Sequence, residues 1–115
     1  MIFGGYRSVW LMVLFDLPVV TKQQRKEYAK FRKFLLGDGY TFMQYSVYGR
    51  HCPSEERAEV HIQRLRAHLP PQGEVRVLKF TDKQFERMLR FYGPMKKKPE
   101  KPPEQLTLFQ FSPGP

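Results

Sequence analysis

Residues 9–15 are seven consecutive apolar side chains, rich in β-branched and aromatic types, closed by Asp16-Leu17-Pro18. A run this short cannot cross a bilayer, which takes about 20 residues of helix. As a strand buried on both faces it needs no alternation of polar and apolar residues. Pro18 ends it, having no N–H to continue a ladder. A chain of 115 residues has room for one domain, or one domain and a tail. The single core must therefore be built around this strand.

The hydrophobic period changes after Pro18. Thr21 can cap a helix running to about Leu36, with Gly37 and Gly39 as stop signals. On that helix Tyr28, Phe31, Phe34 and Leu35 share one side, while Lys22, Arg25, Lys26, Lys30 and Lys33 share the other. Residues 40–43 and 46–51 are rich in Tyr, Phe, Thr and Val, as two strands would be. Pro53-Ser54 opens a second helix whose first turn holds Glu55 and Glu56, where the helix dipole favours carboxylates. Its apolar stripe is Ala58, Ile62, Leu65 and Leu69, and Pro70, Pro71 and Gly73 stop it. Residues 75–80 form a fourth strand, and residues 82–92 a short, mostly helical or irregular closing segment. The order βαββαβ predicts an α+β, ferredoxin-like fold, two helices on one face of a four-stranded antiparallel sheet.

Composition then restricts the chemistry. Twenty Lys and Arg against eleven Asp and Glu give a net charge of +9, suited to polyanions. Residues 22–33 carry six positive charges and one negative. Charges of one sign on one side of a helix form a surface for a phosphate backbone, which they position without reading sequence. The one cysteine, Cys52, excludes a disulfide framework and a multi-cysteine metal site, and it fits a reducing, cytoplasmic location. His51, His61 and His68 share no ligand spacing, and each is expected as a polar surface residue. Metal-dependent cleavage needs an oxygen ligand, and Asp16 at the end of the apolar strand is the candidate. The same aspartate can simply hydrogen-bond its own turn before Leu17-Pro18. One carboxylate is thin coordination, which a second copy's Asp16 would complete.

Residues 94–104 hold four prolines, four lysines and two glutamates and read as a solvated linker. The domain is therefore expected over residues 1–93 and a separate tail peptide over 105–115. In that peptide Gln105, Leu106, Leu108 and Phe109 suit addition as a strand to a partner's sheet edge. They also resemble the peptide by which bacterial proteins dock the replication sliding clamp.

Phe15-Asp16-Leu17-Pro18, the basic helix over residues 25–35, and Gln44-Tyr45-Ser46-Val47-Tyr48 together resemble one family. It is the small CRISPR-associated protein of the spacer-acquisition module, partner of the CRISPR integrase. The resemblance implies a ferredoxin-like homodimer lying between two integrase dimers and presenting a basic surface to the new spacer's duplex DNA. It implies Mg²⁺ at Asp16, at the dimer interface, and a nuclease for single-stranded RNA or duplex DNA. Two rivals share the element order. An RNA-recognition domain would need a Gly-aromatic pattern on its third strand, which residues 46–51 lack. A ribonuclease toxin of related fold would keep Asp16 without needing the tail.

Overall fold

Residues 7–94 are described by the structure, a computed structural model. Their elements are β1 (Val9–Asp16), α1 (Lys22–Gly37), β2 (Thr41–Gln44), β3 (Val47–Cys52), α2 (Glu55–Arg66), β4 (Glu74–Thr81) and α3 (Asp82–Glu86). The sheet order is β2-β3-β1-β4 and the paired strands run antiparallel. The ferredoxin-like arrangement follows: β1 and β2, joined by α1, are separated in the sheet by β3. The expected linker and tail, Gln105 to Phe109 included, lie outside the described residues.

Local chemistry sets the helix ends. The Thr21 hydroxyl accepts from the Gln24 N–H, and the Gln24 side chain accepts from the Thr21 and Val20 N–H groups, a reciprocal cap. Ser54 caps α2 in one direction, its hydroxyl accepting from the Arg57 N–H. Gly39, at φ +93°, supplies the left-handed turn after α1.

The core lies between the helices and one face of the sheet. Val9, Leu11, Val13 and Phe15 point into it from β1, meeting Phe31 and Leu35 of α1, Ala58 and Leu65 of α2, and Tyr48 and Cys52 of β3. The expectation that β1 is buried on both faces holds for only one. Trp10, Met12 and Leu14 point to the opposite, open face and remain partly exposed, because no helix layer among the described residues covers it. Among the described residues α3 reaches across, stacking Phe85 on Trp10 with ring centroids 4.1 Å apart.

Two further expectations change on α2. The helix ends at Arg66, so Leu69 lies beyond it and is 49% exposed. His61 is no surface residue: at 3% exposure it fills the core-facing position between Ala58 and Leu65.

Candidate functional site

Asp16 is the last residue of β1, exposed at the rim of the open face. Phe15 anchors it from behind, its ring packed edge-on against Phe31 at 5.1 Å and beside Tyr48 at 5.8 Å. On one side the Phe15 N–H donates to the Ser46 carbonyl at 3.0 Å. Ser46 sits at φ +63°, a strained conformation for a residue with a side chain. Its hydroxyl and that of Tyr28 share a hydrogen bond of 3.1 Å. Burial pushes the Tyr28 phenol above its ordinary value, against the opposing effect of the Ser46 bond.

On the other side Asp16 pairs in register with Glu74 of β4. The turn before β4 closes so tightly that a Cβ on Gly73 (φ +97°) would stand 2.6 Å from the Asp16 carbonyl oxygen. Only glycine fits there without moving the strand end. Among the described residues no hydrogen bond or ion pair occupies the Asp16 carboxylate, so it is not capping its own turn. The Glu74 carboxylate, by contrast, accepts from Arg76 at 3.2 Å. No group of three or more His, Cys, Asp or Glu gathers anywhere among the described residues.

Beyond this rim lies α1, with Lys22, Arg25, Lys26, Lys30 and Lys33 all exposed. At about 100° per residue the four lysines spread over less than a quarter of the helix circumference, away from the core. Arg25 has a second task. Its guanidinium donates to the carbonyls of Val19 and Val20 at 3.2 and 2.8 Å, fixing the turn that leads from β1 into the helix.

The other end of α1 is held by charges that periodicity did not single out. The Asp38 carboxylate accepts from His61 Nδ1 at 2.8 Å and from Arg64 at 2.6 Å. Arg50 donates to His61 Nε2 at 2.8 Å, which puts the imidazole proton on Nδ1. Burial alone would raise the Asp38 carboxyl, but its bonds to His61 and Arg64 outweigh this and hold it below its usual range. A carboxylate at a helix C-terminus opposes the helix dipole, so Asp38 stands there because of these partners. His61 was expected at the surface; its place at i+3 from Ala58 and i−4 from Leu65 is the signal that could have found it, while the pairing itself is tertiary.

The family model for CRISPR associated protein Cas2 matches residues 9–88, from the first residue of β1 to just past α3. The chain belongs to the Cas2 family. A CRISPR-associated endoribonuclease Cas2 of Parvibaculum lavamentivorans is 52% identical over 101 residues, covering 88% of this chain and 100% of that protein. The Cas2 endoribonuclease of Flavobacterium psychrophilum is 49% identical over 104 residues, 90% of each chain. A Cas2 crystal structure shares the fold at a TM-score of 0.53 and 18% identity, over 79% of this chain and 95% of that one. Family membership selects the CRISPR reading over the RNA-recognition domain and the toxin. Cas2 proteins of this kind are named as endoribonucleases, and the exposed carboxylate and the basic helix are the features here that bear on such chemistry. No helix among the described residues is long and apolar enough to cross a membrane.

Proposed function

We propose that this Cas2 protein is a metal-dependent endonuclease of the CRISPR adaptation module, cutting single-stranded RNA or duplex DNA, and a homodimer that bridges two integrase dimers. The observation that carries the reading is the unengaged Asp16 carboxylate at the sheet rim, followed by a helix of exposed lysines. An exposed oxygen donor suits Mg²⁺, which prefers oxygen ligands and keeps several of its waters. When bound, the ion supplies an acidified water and neutralises charge on the phosphate. The chain's own part is to hold the Asp16 carboxylate in place, through Phe15, Ser46 and the Gly73 turn.

Among the described residues one chain offers Asp16 with Glu74 as its register partner, and a second copy would complete the site. The open face supports that pairing. Met12 and Leu78 are register partners on it, with Leu14 and Trp10 alongside, and Leu78 is 48% exposed. Two such faces packed together would bury them and bring the two Asp16 rims to one interface.

The lysines of α1 support the duplex-binding role. Reversing Lys26 and Lys30 to glutamate is expected to weaken all duplex sequences alike. It should also flatten the salt dependence by roughly 0.9 log units per lost phosphate contact. Titrations at several salt concentrations measure both effects; unchanged affinity, or a loss confined to one sequence, removes α1 from the interface.

Integrase bridging has its own test. Truncation after Gly93 is expected to leave a folded dimer and to weaken co-purification with the integrase, since Leu106, Leu108 and Phe109 are assigned to strand addition on that partner. If the shortened chain retains the integrase fully, the tail belongs to another partner, and the sliding clamp is the one to test.

A further inference from the structure

Asp16 alternates along β1 with Trp10, Met12 and Leu14, so it opens on the sheet face that the helices leave bare. The lysines of α1 stand on the other side of the sheet, facing away from the core. A phosphodiester brought to Asp16 therefore needs its counter-charge from the open face itself. The described strands carry three lysines or arginines, Arg50, Arg76 and Lys79. Arg50 and Lys79 are both register partners of Leu11, whose side chain enters the core, and they share its face. Each is taken up by α2: Arg50 donates to His61 at 2.8 Å and Lys79 to Glu55 at 2.9 Å. Arg76 pairs with Leu14 and stands on the open face, one diagonal step across the ladder from Asp16.

The bond that Arg76 makes there is one a phosphate can replace. Its Nε and Nη2 donate to the two Glu74 carboxylate oxygens at 3.2 and 3.4 Å. Fully formed charged bonds of this kind are about 2.7–2.9 Å long. Both side chains are largely exposed, at 72% and 62%, a setting in which an ion pair stabilises little. A phosphate offers the guanidinium the same two-oxygen edge as a carboxylate. The Glu74 bonds engage two of the guanidinium's five N–H groups and leave the others to donate.

The charge around Asp16 makes such a contact necessary. Glu74 stands directly across the ladder from it, so the rim presents two carboxylates. By themselves these would turn a nucleic-acid backbone away. Arg76, two residues along the same strand as Glu74, gives that backbone a point of attachment on this face.

We infer that Arg76 binds a backbone phosphate of the strand cut at Asp16, and that Glu74 occupies its guanidinium fork until the phosphate takes it over. The inference rests on the nuclease reading proposed above and adds the residue that holds the substrate on the open face.

The test separates KM from kcat in the full-length protein with Mg²⁺, on single-stranded RNA and on duplex DNA. Arg76→Ala is expected to raise KM about tenfold or more, the loss of one charged hydrogen bond, with kcat changed less. Arg76→Lys keeps the charge without the fork and should recover only part of the loss. Glu74→Gln weakens the competitor for the fork and should lower KM. Binding is then read without turnover, by anisotropy of a labelled single strand in chelator. A Lys26→Glu/Lys30→Glu background keeps α1 out of that measurement. There Arg76→Ala should reduce the log–log salt slope by about 0.7, one phosphate contact of a single strand. Unchanged KM and salt slope, in a protein whose cleavage still depends on Asp16, overturn the role of Arg76 and leave the nuclease reading standing. So does an Arg76→Ala protein that sediments as a monomer beside a dimeric parent, which would place the residue in the contact between copies. A parent protein that cuts neither substrate overturns both.

Discussion

Asp16→Ala is expected to abolish Mg²⁺-dependent cleavage while leaving the fold, the dimer and duplex affinity in place. A lost metal ligand removes several kcal/mol of transition-state stabilisation, about a thousandfold or more in rate. Glu74, the register partner of Asp16 across the strand pair, already accepts from Arg76. The fold is not at risk. Asp16 is exposed at the strand end, and it faces a carboxylate directly across the ladder, a pairing that costs stability. Duplex affinity should stay equal or rise slightly, because the lost charge has the sign of the ligand. Cleavage assays with Mg²⁺ and with chelator, run beside duplex titrations and spacer-acquisition assays, separate the roles. A variant that cleaves at the parent rate would make Asp16 a residue of the rim alone. A folded, dimeric variant that neither cleaves nor supports acquisition would tie the carboxylate to integration itself.

The second large effect concerns stability. Asp38→Ala should cost about 1–3 kcal/mol, the usual penalty for leaving a buried donor without its acceptor. The His61 Nδ1–H loses its acceptor at a site only 3% exposed, and Arg64 loses its anchor. For a domain of this size the midpoint of thermal unfolding should fall by at least about 4 °C. Asp38→Asn should cost less than Asp38→Ala, since its amide oxygen can still accept from one of the two donors. The pH dependence has a definite sign. A carboxyl lowered in the folded state stabilises the protein above its ordinary value of 3.8 and loses that contribution as pH falls through the lowered value. The gap between parent and Asp38→Ala in urea unfolding should therefore be full at neutral pH and close in acid. A constant gap down to strong acid would mean that the carboxylate acts by packing and not by charge. The effect reaches function through α1, whose C-terminal end this cluster ties to β3 and α2 while its lysines face outward.

Much of this was legible in the order of residues. The seven apolar residues before Asp16, the Thr21 and Ser54 caps and the wheel of α1 specify elements whose causes are local. Charge of one sign on one helix face needs no partner to be exposed, so the lysine surface was also readable. Boundaries moved by a residue or so where strand pairing, a non-local matter, decides the last hydrogen bond. β4 runs over Glu74–Thr81 because β1 pairs with it along its whole length.

Tertiary structure decided what depends on distant neighbours. An apolar run looks the same whether one or both of its faces are covered. Only the one-sided helix layer separates the buried Val9, Leu11, Val13 and Phe15 from the open face of Trp10, Met12 and Leu14. The Asp38–His61–Arg50 cluster joins residues from α1's C-cap, α2 and β3, with no spacing rule to announce it. The same holds for Asp16. Its place at the end of a hydrophobic strand was plain from the sequence. Its freedom from any turn bond, and the glycine that lets the Gly73 turn approach it at van der Waals contact, arise only when β4 returns beside β1. Sequence determines which side chains can do chemistry. Which of them are left unpaired to do it depends on what the rest of the chain brings alongside.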